Sequence, residues 1–330
     1  MKKIFLVVTV DTEEEGLWNS AYSREFKPVQ NIKGIPRFQQ ICNKYDIKPT
    51  YLTAYSVCRT PWASDILGPI AESGSCEIGG HLHPWNTPPF EEEISKRNSL
   101  MCHLPSSLVA RKLDTLLHQH EAVLGKRPHS FRAGRWGFNE QTGQVLIEKK
   151  FTTDTSICPL IDYTNEGIPL YKKSLPDNYW LNTRDIFSVD HREKNMLEIP
   201  ATVVFNRSNS NMAFNILDFF KKTYFRYFHI VGILSRLSLL QQISLSPEMC
   251  TLKEMKKCAD IHVKRNNRIL NVFFHSSDLM AGGTPYVRDN NGLDEFLNKL
   301  DKFFSYTKTK WNFEGVTLSH LFQQAIQEKI

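Results

Sequence analysis

The 330-residue sequence has no CxxC pair; its seven cysteines, Cys42, Cys58, Cys76, Cys102, Cys158, Cys250 and Cys258, are scattered and odd in number. That pattern fits neither a disulfide framework nor a cysteine zinc site, and it points to a reducing compartment. Long apolar runs are also missing. Residues 4–10 make a run of seven behind Met1-Lys2-Lys3, but it ends in Asp11-Thr12-Glu13-Glu14-Glu15 with no small-residue cleavage site. It reads as a first strand rather than a signal peptide. No other stretch approaches the roughly 18 uncharged apolar residues that span a bilayer, so the expected location is the cytoplasm. Dense basic blocks are lacking too: 41 Lys and Arg stand against 35 Asp and Glu, a formal charge of +6. This balance argues against a nucleic-acid partner and merely permits an anionic one. There is no internal repeat, no low-complexity linker and no GxSxG elbow, so Ser276 is a poor serine nucleophile.

What is present is an ordinary globular composition, long enough to bury a core without staples. The first half alternates short β-branched or apolar runs with longer amphipathic ones, as strands and helices do in a mainly parallel sheet. Strands are expected at 4–10, 49–54, 76–79, 130–131, 151–155, 197–204, 269–274 and 315–318. Helices are expected at 36–45, 64–73, 107–124, 139–149, 252–264 and 293–304. The clearest is 107–124, where Leu108, Leu113, Leu116, Leu117, His120, Val123 and Leu124 form one stripe. A Ser precedes it, and Gly125 followed by Pro128 closes it. About seven or eight strands with intervening helices make an α/β barrel over a single domain, 1–330. One segment breaks the alternation. Residues 214–245, within an insertion at about 206–248, are crowded with Phe, Tyr, Ile and Leu and carry Lys221, Lys222, Arg226 and Arg236, with Asp218 the only acid. It reads as a helical hairpin capping the barrel or buried in a dimer, or else as an interfacial anchor giving peripheral contact with the inner face of a membrane.

The unusual residues fall at the carboxyl ends of expected strands, the rim where barrel enzymes build their sites. Asp11 and Glu13 follow the first strand, His81 and His83 the third, and Arg132 and Arg135 the strand at Phe131. Asp154 ends the strand from Phe151, and His275 ends the one closing at Phe274. Two-residue spacing in an extended segment puts both side chains on one face. Asp11 and Glu13 could thus share a metal-binding and a proton-accepting task, or form a solvated acidic turn. His81 and His83 could present two imidazoles to one point; with a carboxylate they would make a metal site open to water and substrate. His118 and His120 share that spacing but on a helix, where residues two apart face different ways. They, with His103, His229, His262 and His320, are expected in surface or core. His275 could be a general acid or a structural neighbour of the site.

The order Val10-Asp11-Thr12-Glu13, Ile78-Gly79-Gly80-His81-Leu82-His83-Pro84, Phe131-Arg132-Ala133-Gly134-Arg135-Trp136-Gly137, Thr153-Asp154 and Phe273-Phe274-His275 resembles the five motifs of the polysaccharide deacetylase, or NodB-homology, family (carbohydrate esterase family 4-like). The resemblance implies a distorted (β/α) barrel of about seven strands, here with the helical insertion. It also implies a divalent metal, zinc first, with cobalt or nickel as alternatives, and hydrolysis of an acetyl group, N-acetyl above all, on a carbohydrate; contact of the 214–245 segment with a membrane would make that carbohydrate a lipid-linked one. By position, Asp11 matches the base, Glu13 the acidic metal ligand, and His81 and His83 the histidine ligands. Arg132 matches the arginine that orients the base, Asp154 the acid that supports the histidine, and His275 the acid that protonates the leaving amine. Trp85, Arg135, Trp136 and Tyr286 lie beside these motifs as candidate sugar contacts or as wall. Three departures stand out. The family commonly has adjacent aspartates where this chain has Asp-Thr-Glu, and its histidines are separated by three residues where these are separated by one. After Arg132 it has Pro-Tyr-Gly where this chain has Ala-Gly-Arg-Trp-Gly, an ending similar to a subgroup associated with cell-envelope polysaccharide synthesis. A metal-independent glycoside hydrolase pairing Asp11 or Glu13 with Asp154, and a non-catalytic glycan- or membrane-binding protein, are the alternatives.

Overall fold

The strand Phe5–Thr12 (β1) is buried along its whole length, as the first apolar run requires of a strand covered on both faces. The computed structural model describes residues 3–19, 22–171, 174–222, 232–234, 237 and 239–328. The chain continues through helix Ile35–Lys44 (α1), strand Thr50–Thr53 (β2), the short helix Tyr55–Cys58 (α2), helix Pro61–Glu72 (α3) and strand Glu77–Leu82 (β3). Helix Ser106–Leu124 (α4), strand Ser130–Ala133 (β4), helix Glu140–Glu148 (α5) and strand Thr153–Asp154 (β5) follow. After strands Tyr179–Trp180 (β6), Leu197–Glu198 (β7) and Val203–Phe205 (β8) come helix Ser210–Lys222 (α6) and strand Gln242–Ser244 (β9). Helix Leu252–Lys264 (α7), strand Ile269–His275 (β10), helix Asn290–Trp311 (α8), strand Glu314–Gly315 (β11) and helix Leu318–Ile326 (α9) complete it.

The main sheet runs β10-β1-β2-β3-β4-β5-β7-β6. Every pairing from β10 to β7 is parallel, and β6 joins antiparallel. β11 pairs parallel with the start of β1 beside this path, and the seven parallel strands of the path fall within the seven or eight that the sequence predicted. The sheet curls until its ends approach: Asn271 Nδ2 on β10 donates to Ile199 O and Pro200 O just beyond β7, and Phe273 N donates to Leu245 O. The result is a distorted barrel with the gap bridged by extended chain.

Period-two alternation along β1 sorts its side chains. Leu6, Val8 and Val10 pack outward with Ile35 and Phe38 of α1 and Leu300 and Phe303 of α8. Phe5 and Val7 point inward to Leu52, Leu197 and Ile269. This inner cluster is closed from below by Leu318 and Leu321 of α9. The same inner face continues upward as Thr9 and Asp11, so the barrel axis changes from an apolar plug to a polar network before it reaches the mouth.

Three local expectations are corrected. The expected strand at 197–204 splits into β7 and β8, because Pro200 has no N–H for a ladder. The expected strand at 315–318 ends at Gly315, and Leu318 opens α9, with the Thr317 side chain capping His320 N. Gly315 is required there, since a Cβ would lie 2.6 Å from Ile47 Cα. Helix α4 has Pro105, not a serine, at its N-cap, while Gly125 closes it at φ 64° as expected. Residues 223–231, 235, 236 and 238 and the side chains of Lys221 and Lys222 lie outside the described residues, so the hairpin and anchor readings of 214–245 cannot be followed there. Within the described part, α6 buries Ala213, Phe214 and Leu217 against Val203, Phe205 and Phe273, and β8 pairs with β9. No helix of the described residues is long and apolar enough to cross a membrane.

Lys112 on α4 is fully buried, and its Nζ donates to Pro84 O, Thr87 O and Pro89 O and to Glu92 Oε1. One ammonium thus ties down the loop that follows β3. Lys112→Met should lower the unfolding free energy by about 3–5 kcal/mol, the cost of stranding a buried counter-charge, as read from the urea midpoint with an unchanged m-value.

Candidate active site

Arg132 leaves β4 and crosses the barrel axis. Its guanidinium is 1% exposed and donates to Asp11 Oδ1 at 2.7 Å, Thr9 Oγ1 at 2.8 Å and Thr155 O at 3.0 Å. Asp11 therefore has a fixed orientation and a counter-charge, with Oδ2 3.9 Å from His275 Nε2. Arg132 in turn lies 4.9 Å from the centroid of the Trp136 ring.

Glu13, His81 and His83 converge. The two Nε2 atoms are 3.0 Å apart, and each is 3.2 Å from Glu13 Oε2. All three side chains are buried. The HxH spacing works because β3 is still extended at Leu82. Each imidazole is held through its other nitrogen: His81 Nδ1 donates to Arg132 O at 2.8 Å, and His83 Nδ1 donates to Glu14 Oε1 at 3.2 Å. Such outer partners fix the tautomer and leave the Nε2 lone pairs aimed at one point. A triangle of donors with these edges suits an ion about 2.0–2.2 Å from each, so the chemistry and spacing of the set fit a divalent cation. The charges agree. Burial works against a charged His83, yet Glu14 and Glu13 push it up to about 10. Burial would raise Glu13, but His275, His81 and His83 outweigh it and hold it well below the usual range. With Arg132 offsetting Asp11, two carboxylates remain to balance a doubly charged ion.

Gly134 makes room for this pair, since a Cβ there would sit 2.3 Å from His83 Cδ2. The next two residues, Arg135 and Trp136, both take positive φ, 56° and 58°. Ala-Gly-Arg-Trp-Gly is thus a strained turn that places Trp136 over Arg132.

His275 ends β10 with Nδ1 2.6 Å from Glu248 Oε1, which also accepts the His275 backbone N–H at 2.7 Å. Glu248 lies beside Asp278, whose Oδ1 accepts from Thr284 at 2.6 Å. Burial and the neighbouring Glu248 push Asp278 up to about 9. Glu248 itself is lowered because His275 beside it outweighs burial. Burial opposes a charged His275, but Glu248, Glu13 and Asp11 raise it well above its ordinary value. Its Nε2 is 3.9 Å from both Asp11 and Glu13, facing the cleft.

The Asp154 assignment is corrected. Asp154 is fully buried, accepts from Ser156 N and Ser156 Oγ, and shares its surroundings with Glu198. It does not reach His275, and it does not line the cleft, which also removes the carboxylate pair of the glycosidase alternative. Glu248 holds the place assigned to it. Sequence reasoning missed Glu248 because the apolar crowding of 214–245 hid the short strand β9 that ends just before it. Glu14 was missed inside an acidic run; it accepts from Ser56 Oγ at 2.7 Å and Asn86 Nδ2 at 2.6 Å.

A cleft of about 230 Å³ is lined by Asp11, Glu13, His81, His83, Arg132 and His275 together with Trp18, Tyr22, Trp85, Arg135, Trp136 and Glu166. Trp85 stacks on His83 at 4.2 Å. Arg135 pairs with Glu166 at 2.9 Å. Tyr286 is outside the cleft lining and packs edge-on against Trp18. His120 and His262 are core histidines, each lowered to about 4 by burial. His103 bonds Gly167 O, and His320 lies on the surface beside Gln324. His229 lies outside the described residues.

No protein-family model and no curated protein matches the sequence. Solved structures do match. A candidate polysaccharide deacetylase from Mycobacterium smegmatis is similar at 15% identity and a TM-score of 0.57, over 100% of this chain and 93% of that one. A candidate glycoside hydrolase/deacetylase from Parabacteroides distasonis is similar at 11% identity and a TM-score of 0.63, over 97% and 71%. A 4-alpha-glucanotransferase from Thermococcus litoralis is similar at 11% identity and a TM-score of 0.54, over 98% of this chain but 41% of that one. A fold shared with a glycosyl-transferring enzyme does not choose the chemistry; the site must. The fold of this chain is that of the NodB-like polysaccharide deacetylases.

Proposed function

We propose that this protein is a metal-dependent hydrolase that removes an acetyl group, N-acetyl above all, from a sugar of a polysaccharide or its precursor. The observation that carries the reading is the convergence of Glu13, His81 and His83 within 3.2 Å of one another, beside an arginine-held carboxylate and a carboxylate-held histidine. A divalent ion held by Glu13 Oε2, His81 Nε2 and His83 Nε2, with zinc the first choice, would supply Lewis-acid polarisation of the acyl carbonyl and a nucleophilic water at neutral pH.

The remaining work falls to the chain. Arg132 holds Asp11 through Oδ1 and supplies its counter-charge, so that Oδ2 can accept the proton lost by the attacking water. His275, with Nδ1 anchored on Glu248, presents Nε2–H to the cleft and delivers that proton to the nitrogen as the C–N bond breaks. The products are acetate and the free amine of the sugar. Asp11 Oδ2 and His275 Nε2 sit 3.9 Å apart, and both line the cleft together with the histidine pair. Trp85, at 5% exposure, buttresses His83 and keeps water from its ring face.

Elemental analysis of protein dialysed without chelator should find about one divalent ion per chain. His81→Ala and Glu13→Ala should each lose it, and acetate release with it. A wild-type protein that neither retains metal nor takes up zinc, cobalt or nickel would sink this reading and favour a glycan-binding protein.

A further inference from the structure

The turn that follows β10 touches two parts of the site at once. In Ser276–Leu279, Ser276 Oγ accepts the Glu13 backbone N–H at 3.1 Å, and Asn31 Nδ2 donates to both Glu13 O and Ser277 Oγ at 3.0 Å. Asp278 of the same turn lies beside Glu248, the carboxylate that holds His275. One atom from each of Glu248, His275 and Asp278 falls within 4.8 Å of the other two. The Gly-rich loop after β10 closes over this point. Gly283 packs so tightly that a Cβ would lie 2.1 Å from Ser277 O. Thr284 then donates from Oγ1 to Asp278 Oδ1 at 2.6 Å while its own oxygen accepts from Val287 N.

Two carboxyl groups in contact and out of water do not both ionise. Asp278 is 0% exposed, and the Glu248 side chain 5%. Their donors decide which one keeps the proton. Glu248 Oε1 accepts two N–H bonds from His275, one from the ring and one from the backbone. Asp278 has the Thr284 hydroxyl on Oδ1, and its buried Oδ2 has no donor among the described residues. A proton on Asp278 turns that oxygen from an unpaired acceptor into a donor beside a carboxylate. Burial and Glu248 keep the proton in place to about 9. Glu248 needs such a partner because it stands on irregular chain after β9. Lys299 Nζ pins the backbone on either side of it, at Pro247 O and Cys250 O, but does not set its side-chain torsions.

We propose that Asp278 is a positioning residue for the acid: it donates its proton to Glu248 and completes a chain Thr284–Asp278–Glu248–His275 that fixes the imidazole at the cleft. This inference rests on the deacetylase reading above, and the two fail distinguishably. Acetate release from a β-1,4-linked N-acetylglucosamine oligomer, and zinc content, are measured for zinc-loaded Asp278→Ala and Asp278→Asn, and for Asp278→Ala combined with His275→Gln. Asp278→Ala should lower kcat about tenfold, the lower end of what an outer partner contributes, with KM and zinc content little changed. Asp278→Asn keeps the shape and an N–H donor for Glu248, and should recover most of that loss. In the His275→Gln background no acid is left to position, so Asp278→Ala should change kcat by about twofold at most. Damage spreading through the turn to Glu13 would lower it there as well. An equal loss in both backgrounds therefore overturns the inference, as does an Asp278→Ala variant with the wild-type kcat. Asn as harmful as Ala also overturns it, since the charge of Asp278 and not its proton would then matter. Should Asp278→Ala not fold, a kcat for the isosteric Asn variant as low as that of Glu248→Gln does the same. Each of these outcomes leaves the deacetylase reading intact, whereas a wild type that releases no acetate removes that reading and this inference together.

Discussion

His275→Gln is expected to lower kcat about 10²- to 10⁴-fold, the usual contribution of a positioned general acid, with KM little changed because the imidazole acts only as the amine departs. Three contacts set this expectation. Glu248 holds Nδ1 at 2.6 Å, Trp18 packs edge-on against the ring, and Nε2 stands 3.9 Å from Asp11. The ring cannot turn away from the cleft without giving up the Glu248 bond. Glu248→Gln keeps the shape and removes the charge that favours the protonated ring, so it should cost about 10- to 100-fold, as the loss of an outer carboxylate partner does. Asp154→Asn is the control, because Asp154 faces Ser156 and Glu198 rather than His275. Its effect on kcat should fall well below that of Glu248→Gln. Steady-state acetate release by the three variants, at equal metal loading, checks the series. A larger loss from Asp154→Asn than from Glu248→Gln would restore Asp154 as the partner of the acid.

The parts of the site that could be read from sequence are those in which strand geometry fixes the outcome. Asp11 and Glu13, and His81 and His83, are two apart on chain that is extended, so period two brings each pair to one face. The carboxyl-end rule then gathers β1, β3, β4 and β10 at one mouth. That logic holds although the histidine spacing departs from the commoner pattern, because His81 lies on β3 itself and His83 is the second residue beyond it on the same face. What could not be read are partners delivered by irregular chain. Glu248 reaches His275 from a loop 27 residues earlier, and nothing in Ser246-Pro247-Glu248 distinguishes it from a solvated turn. Glu14 looks like one more charge in an acidic run, yet it is 2% exposed and holds His83. Trp18 and Tyr22 are spaced as if on a helix, and their contacts depend on how a loop crosses the sheet. The buried Lys112 was invisible for the opposite reason: on a helix, a lysine reads as surface until the loop that wraps it is known.

Arg132→Met should damage stability and catalysis at once, and the two losses separate what the guanidinium does. The side chain is 1% exposed and bonds Asp11, Thr9 and Thr155. Methionine fills much of the space but strands the Asp11 carboxylate in a buried position, at a cost of about 3–5 kcal/mol measurable by urea unfolding. Arg132→Lys restores a positive charge, yet one ammonium cannot reach Asp11 Oδ1, Thr9 Oγ1 and Thr155 O together in the planar fork that arginine provides. Lys should therefore recover much of the stability and little of the activity. Asp11 would keep a counter-charge but be free to rotate, and a base that is off line by an ångström loses about 10²-fold. If Arg132→Lys instead restores kcat along with stability, charge alone suffices and the fixed orientation of Asp11 is not part of the chemistry. If Arg132→Met is stable and active, Asp11 is not the proton acceptor, and Glu13, the other carboxylate within 3.9 Å of His275 Nε2, would have to take its place.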